Sequence, residues 1–236
     1  MAETQTPRIE RGLTKLCVPH NAGKIAFASL SAGPGRYVDV GKQILDDNQQ
    51  VPTGDYTASL LHSAYCSEAV NKPEFVSVGD IMSTRWLWVF NRNLWTSQGV
   101  YVFQDETATG RTQPLKADEL EAKLKGGIEL SSGGIRFGPD GKVRFAPAGS
   151  YSKGYKTPEE FAQDGFIIAS CGEEGAKKLG EVSTKFRNRP YVYALNVPEG
   201  QNEQRISAVY EYDDRFRFDG DDWDGNDDGC AFGVLK

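Results

Sequence analysis

The last 26 residues of the chain constrain its fold more than any other segment. Residues 211–228 contain nine acidic and two basic side chains, a net charge of −7, whereas the whole chain of 236 residues carries −6. A charge run of this kind is most often a solvated tail. Here, however, aromatic residues interleave with the charges, and the apolar segment 230–235 follows them. Burial of these side chains can offset the entropy lost on ordering, so we expect an ordered, acidic binding surface.

Composition narrows the classes of protein to which the chain can belong. With 39% hydrophobic residues, 26 glycines and 11 prolines, it can bury a full core and favours many short strands and long loops. The N-terminus is polar and no segment approaches the length of a membrane span, which predicts neither a signal peptide nor membrane insertion. The overall acidity argues against nucleic acid as a partner.

The cysteines and histidines give no support for a metal centre or a catalytic site. The cysteines are far apart, which favours buried free thiols, with one long-range disulfide as the alternative. They are Cys17, Cys66, Cys171 and Cys230. His20 and His62 have no partners at zinc-ligand spacing. Phosphate-binding-loop, nucleophile-elbow and His-Glu-x-x-His motifs do not occur, so we expect a binding protein rather than an enzyme.

Local patterns predict an α+β domain spanning 1–236, with a few short helices around antiparallel sheets and a β-meander inserted near 110–155. Helices are predicted at 55–66, 115–125, 157–164 and 173–179. Strands are predicted at 25–29, 37–40, 86–90, 99–103, 128–130, 135–137, 143–145, 191–195, 206–210, 215–218 and 231–235. Thr157-Pro158-Glu159-Glu160 is the strongest of these patterns, because Thr caps a helix, Pro suits its first position and Glu160 completes a capping box.

The acidic segment also contains the opening of a calcium loop. Asp224, Asn226 and Asp228 stand at alternate positions before Gly229, as in the sequence Asp-x-Asn-x-Asp-Gly. An EF-hand needs a Glu at the twelfth position, where this chain has Leu235. Calcium is therefore the alternative function, and no other metal or cofactor is expected. A carboxylate acid–base pair among Asp221, Asp222 and Asp224 is a weaker hypothesis, because nothing in the sequence buries these three side chains.

The same segment lacks certain residue types. Between Tyr212 and Leu235 there is no Lys, Glu, Gln or Met, although Lys and Glu are frequent elsewhere. Exchanging the two adenines of an Asn codon can produce every residue in that interval except Trp223. The interval therefore has the composition of Asn codons altered at adenines between fixed Phe, Gly and Trp positions, although coincidence would also account for it.

The C-terminal segment also resembles a region of a known protein family. Trp223, the Gly- and Asp/Asn-rich loop and the closing segment 229–235 resemble the variable region of proteins diversified by diversity-generating retroelements. Those proteins have a C-type lectin fold of the formylglycine-generating-enzyme subclass. The resemblance is closest to archaeal and archaeal-virus variable proteins, and the motif 86–90 followed by Leu94-Trp95 is compatible with that group. Formylglycine-generating activity is not implied, since no pair of cysteines matches the catalytic pair of that enzyme.

The resemblance implies a hypervariable, ligand-binding C-terminal face at about 210–236 on a rigid lectin scaffold. The residues predicted to face solvent and contact the ligand are Asp213, Asp214, Arg215, Arg217, Asp219, Asp221, Asp222, Asp224, Asn226, Asp227 and Asp228. The predicted scaffold anchors are Phe216, Phe218, Trp223 and Phe232, with direct ligand contact as the alternative for Trp223. A period of two along 215–218 sends the phenylalanines inward and the arginines outward.

The ligand itself is not encoded in these patterns. By charge complementarity the acidic segment favours a basic or hydrogen-bond-donating partner, either a protein or a cell-surface molecule. If the resemblance holds, the protein is expected on a virion or a cell surface.

Overall fold

The computed structural model describes residues 8–10, 15–131, 133–222 and 225–236. The helices are α1 (Tyr37–Asp46), α2 (Gly54–Cys66), α3 (Pro73–Thr84), α4 (Ala117–Leu124), α5 (Pro158–Ala162) and α6 (Gly165–Ser183). The strands are β1 (Arg8–Glu10), β2 (Lys15–His20), β3 (Gly23–Ala28), β4 (Ala32–Gly35), β5 (Trp86–Thr96), β6 (Gly99–Gln104), β7 (Ile128–Glu129), β8 (Arg136–Phe137), β9 (Val143–Pro147), β10 (Gly154–Tyr155), β11 (Asn188–Tyr193), β12 (Asn202–Glu211), β13 (Arg215–Asp222) and β14 (Gly229–Ala231). Short helices around mostly antiparallel strands confirm the predicted α+β class.

Within the described ranges, eleven strands form one main sheet. Its path runs β10-β11-β13-β12-β5-β6-β9-β8-β7, and β14 pairs with both β4 and β5 beside it. A separate antiparallel sheet contains β1, β2 and β3. The pairs β11–β13 and β14–β5 are parallel, whereas the other pairs within the main path are antiparallel. The three C-terminal strands β12, β13 and β14 thus belong to one sheet.

The two sides of the main sheet are covered differently. On the inner side, α2, α5 and α6 enclose the large core that contains Trp95, Phe166 and Phe218. On the outer side, Trp88 of β5 is fully buried in a second cluster, to which α1 contributes Tyr37. Central β5 is buried from its second to its tenth residue, as expected of a strand that is apolar on both faces.

The capping box at Thr157 forms as the sequence predicts. The Thr157 hydroxyl accepts a hydrogen bond from the Glu160 amide at 3.1 Å, and the Glu160 carboxylate accepts one from the Thr157 amide at 2.7 Å. This capping box begins α5. The N-cap of α2 is Thr53, two residues before the start of the predicted helix 55–66, and the Thr53 hydroxyl accepts a hydrogen bond from the Tyr56 amide at 3.3 Å.

One sequence prediction about secondary structure is wrong, one helix was predicted too short and one helix was missed. The predicted strand 37–40 is the start of α1, because Tyr37, Val40 and Ile44 recur at helical spacing and are buried together. The predicted helix 173–179 is part of the longer α6, which has a kink at Gly172 (φ 72°, ψ 166°). Helix α3 was not predicted, although Pro73 stands at its first turn.

The predicted strand 231–235 is wrong in extent. Strand β14 ends at Ala231, and beyond it the Val234 amide and carbonyl pair with the Gln50 carbonyl and amide, both at 2.8 Å. The chain end is therefore held by two isolated bridges, of Val234 with Gln50 and with Phe27, rather than by a continuous strand.

The predicted meander is present as β7, β8 and β9. Its last strand pairs with β6, so these strands continue the main sheet. The four cysteines are free thiols, of which Cys66 is partly exposed. Among the helices in the described ranges, none has the length and apolarity that a membrane crossing requires.

Candidate binding face

Strand β13 divides the C-terminal segment into an inner and an outer face. Phe216 and Phe218 point inward and are fully buried, with ring centroids 5.5 Å from Phe161 and 5.6 Å from Phe166 respectively. Arg215 and Arg217 point to the outer face and are partly exposed. This alternation confirms the predicted direction of these four side chains.

Two glycines, one within β13 and one at the start of β14, lie on either side of the acidic loop that joins these strands, and both approach aromatic rings closely. A Cβ on Gly220 would lie 2.2 Å from the Phe166 ring, and a Cβ on Gly229 would lie 2.1 Å from the Trp88 indole. No side chain can be accommodated at either distance without displacing an aromatic ring. Beyond the second glycine, Phe232 is 1% exposed, which confirms the prediction that it is buried. Predicted anchor Trp223 lies outside the described residues.

The prediction that all the acidic residues face solvent is wrong for Asp219 and Asp222, which are 8% and 4% exposed. The register of β12 with β13 shifts between Ile206 and Ala208, which marks a bulge opposite this stretch of β13. Both carboxyl groups accept hydrogen bonds from nearby residues. The Asp221 amide donates to Asp219 Oδ1 at 2.8 Å, and Asn226 Nδ2 donates to Asp222 Oδ1 at 2.8 Å. These two carboxyl groups therefore help to build the loop.

Burial raises the pKa of Asp219 to about 7. The hydrogen bond from the Asp221 amide opposes this shift, while the nearby carboxylates of Asp222 and Asp221 add to it, and Lys153 lowers the pKa. Asp219 is therefore a carboxyl group that changes its charge near neutral pH, at the centre of the outer face of β13.

The remaining acidic residues are partly or fully exposed, and several have partners. Asp213 and Asp214 are exposed and form the β12–β13 turn, with left-handed φ values of 58° and 50°. Asp221 accepts a hydrogen bond from Arg205 Nε at 3.2 Å, and Asp228 forms an ion pair with Arg85. Two further members of the predicted ligand-contacting set are Asn226, which is half-buried, and Asp227, which is exposed. Asp224 lies outside the described residues.

The calcium alternative depends on Asp224, Asn226 and Asp228, the first of which is not described. The described part of the chain holds no cluster of three or more His, Cys, Asp or Glu side chains arranged for a metal ion. The other two residues are engaged with protein groups, Asn226 with Asp222 and Asp228 with Arg85.

Beside β13 the structure brings together aromatic residues that sequence reasoning missed. Tyr155 lies opposite Tyr191, Tyr191 opposite Arg217, and Arg217 opposite Tyr210, on four neighbouring strands. The Tyr210 ring centroid is in turn 4.3 Å from that of Trp86 on β5. Residues opposite one another in register share a face of the sheet, so these five side chains form one row across the outer face. We call them the Tyr–Arg row.

Arg217 lies at the centre of this row, surrounded by tyrosines. Its guanidinium carbon is 4.4 Å from the Tyr212 ring centroid and just under 6 Å from those of Tyr193 and Tyr210. Its Nη1 donates to the Tyr193 hydroxyl at 2.9 Å. Arg215 stacks in the same way on Tyr155, 4.7 Å from the ring centroid. Both arginines are held at the surface by cation–π contacts.

Comparison with known proteins identifies the fold. No protein-family model matches the sequence, and no curated protein matches it significantly. One solved structure is similar, a protein reported as "Accommodation of massive sequence variation in Nanoarchaeota by the C-type lectin fold". The TM-score is 0.50 and the identity 12%, over 85% of this chain and 94% of that one. The chain has a C-type lectin fold.

Within this lectin fold, the C-terminal segment supplies an interior strand of the main sheet. Strand β13 lies between β11 and β12, and the inward phenylalanines of β13 pack against α5 and α6. The neighbouring Tyr191 and Tyr193 alternate with buried Val192, a period-2 pattern that could have indicated an aromatic outer face. That pattern does not predict which strands lie beside β11.

Proposed function

We propose that this protein is a hypervariable ligand-binding protein whose C-terminal segment is diversified by a retroelement. The observation that carries the proposal is the division of β13, since its inner side chains are buried in the core while its outer arginines are partly exposed. Side chains on the outer face can change without removing packing from the core, because substitutions at solvated positions usually change stability by within about ±0.5 kcal/mol. The similar structure from Nanoarchaeota is likewise described as accommodating massive sequence variation by this fold.

The turn before β13 fits the same proposal. Asp213 and Asp214 adopt left-handed backbone conformations, with φ of 58° and 50°. Outside glycine, Asn and Asp adopt this conformation most readily. A template of Asn codons, and its single-adenine product Asp, would therefore preserve the turn while changing its charge.

Diversification is tested by sequencing the DNA that flanks the coding region. The expected result is a near-copy of the codons for residues 211–236, differing only at adenines, beside a reverse-transcriptase gene. A genome with neither feature would contradict retroelement diversification.

Tolerance of the face is tested with a library that randomises Arg215, Arg217 and Asp227 by NNC codons and is displayed on yeast. We expect most members to be displayed and to resist protease as well as the parent does. The matched control library randomises Phe216, Phe218 and Phe232, which are buried, and few of its members should resist protease. Equal losses in both libraries would contradict a variable outer face on a fixed scaffold.

The proposal includes binding without catalysis and without calcium or another cofactor. In support, Asp228 already faces Arg85, and the Asn226 amide already contacts Asp222. We further propose that the protein acts on a virion or cell surface, where a variable binding face would meet partners of another cell. Expression with an epitope tag and immunolabelling of intact particles or cells tests that location.

A further inference from the structure

We propose that the Tyr–Arg row is a docking surface for an acidic segment of a partner protein. This inference rests on the proposed binding function and specifies the partner class. It reverses the expectation from sequence, in which the acidity of the C-terminal segment favours a basic partner. The reversal follows from where the structure places the charges.

The acidic groups near the row are largely withdrawn or paired. Asp219 and Asp222 are buried, and Asp221 faces Arg205. The exposed Asp213 and Asp214 lie in the turn at one end of β13, where the Asp214 carboxylate also accepts a hydrogen bond from the Arg187 amide. The charge pattern of the sequence therefore does not describe the charge pattern of this face.

The cations, in contrast, lie on the face itself. Arg217 stands in the row, Arg215 stacks on Tyr155 at the end of the row, and Lys153 Nζ is 5.4 Å from the Tyr193 ring centroid. The row and its surroundings thus present positive charge held over aromatic rings. An acidic partner complements this pattern, which favours fast association and correct orientation.

The composition of the face matches that of protein-binding hot spots. Tyr, Trp and Arg are the residue types that most often carry the energy of protein–protein interfaces, and they do so where they are rigidly packed. Here the rings brace one another, since Tyr155 and Tyr191 have centroids 4.9 Å apart and Tyr191 and Tyr193 4.5 Å apart. Five strands at about 4.8 Å spacing make the row roughly 19 Å wide, the scale of a docked loop or strand.

Selection of peptides on the purified full-length protein tests the proposal. A phage library of random dodecapeptides is panned on the wild type and, in parallel, on Arg217→Gln. We expect peptides enriched in Asp and Glu together with aromatic residues on the wild type, and no such enrichment on the variant. The most enriched peptide is then synthesised with a fluorescent label and titrated by anisotropy.

In that titration Arg217→Gln should weaken binding by about tenfold or more, as for a charged hot-spot residue. Arg217→Lys should retain part of the affinity, because it keeps the charge and loses the planar stacking. Tyr212→Ala is a second variant that should also weaken binding, since Tyr212 is 63% exposed and its ring lies against the Arg217 guanidinium. Lys24→Gln on β3 is the matched control, because it removes one exposed positive charge from the other sheet and should leave the affinity unchanged.

Each other outcome overturns the proposal. Enriched peptides that are basic would return the ligand contact to the acidic loop. If equal numbers of phage are recovered on the wild type and on Arg217→Gln, whether or not the peptides share a motif, the Tyr–Arg row is not the binding surface. Arginine-dependent binding of hyaluronate without acidic peptides would indicate a glycan, and a dimer in sedimentation that Arg217→Gln abolishes would indicate a second copy of this chain. In all these cases the library test of the outer face can still succeed, so the two proposals fail separately.

Discussion

The inner and outer faces of β13 belong to the same eight residues but are subject to different physical constraints. On the inner face Phe216 and Phe218 are fully buried against the rings of α5 and α6. On the outer face Arg215 and Arg217 rest on tyrosine rings at the surface. The inner phenylalanines are specified by shape, whereas the outer arginines need only be compatible with a solvated strand. A strand of this kind separates the positions that stabilise the core from the positions that can change without loss of core packing.

The largest expected difference between the faces concerns Phe218. Phe218→Ala removes a fully buried ring that packs 5.6 Å from Phe166. We expect a loss of about 3–5 kcal/mol in the free energy of unfolding, as for other buried Phe→Ala substitutions. Urea denaturation followed by tryptophan fluorescence measures it.

Arg215→Ser is the control for that substitution, on the same strand and the opposite face. It should change the free energy of unfolding by less than about 1 kcal/mol, because it loses one surface cation–π contact and a hydrogen bond to the Arg189 carbonyl. If both variants lose the same amount, the two faces are not energetically distinct.

A pH-dependent effect is expected at Asp219, which the structure moves from the outer set into the buried one. Its pKa is raised from the usual 3.8 to about 7 by burial. Between these pH values the folded protein holds a proton that the unfolded chain has released, so its stability falls as pH rises from about 4 to about 7. A shift of this size corresponds to at most about 4 kcal/mol.

Asp219→Asn removes this titration while leaving an oxygen that can accept the hydrogen bond from the Asp221 amide. Relative to the wild type, the variant should gain stability steadily from pH 4 to pH 7 and keep a constant advantage above that range. Thermal unfolding across this pH series measures the difference. A pH-independent difference would show that Asp219 is ionised throughout.

A smaller effect is expected from exchanging several exposed residues together. The pooled variant Asp213→Asn, Arg215→Ser, Asp227→Ser and Asp228→Ser keeps Asn at the left-handed turn position and avoids the buried carboxyl groups. Its total loss should stay below about 2.5 kcal/mol, since Arg215→Ser costs less than about 1 kcal/mol and each of the other three sites contributes within about ±0.5 kcal/mol. The matched variant Asp219→Ser with Asp222→Ser changes only half as many residues, yet should lose more at low pH because both sites are buried. The opposite order would assign the structural role to the exposed carboxylates.

Much of the fold was predictable where the pattern is local. Thr157 and Glu160 form their capping box, and the alternation along 215–218 sends each side chain to the expected face. These features depend on neighbours along the chain. The strand predicted at 37–40 failed because its apolar residues also suit a helix, and packing of Tyr37 against Trp88 decides between the two.

The candidate site was less predictable because it depends on contacts between distant segments. Nothing in the sequence places Tyr155 of β10 in the same row as Arg217, since that requires the register of two intervening pairings. Burial of Asp219 likewise follows from a bulge in the β12–β13 pairing. Net charge along the chain therefore predicted an acidic face where the fold displays arginines and tyrosines.

The smallest expected effect is that of calcium, which separates the binding face from an ion site in the adjoining loop. A site of extracellular type binds with a Kd of about 0.1–1 mM, so roughly 10 mM calcium would stabilise the fold by about 1.5–3 kcal/mol. We expect no shift in Tm, because Asp228 is paired with Arg85 and the Asn226 amide with Asp222. Differential scanning calorimetry measures the Tm in calcium and in chelator. An equal concentration of magnesium is the ionic-strength control. A calcium-specific rise of several degrees in Tm that Asp228→Asn abolishes would show that the loop is an ion site. Calcium binding would then explain the acidity of the loop better than a variable binding face does.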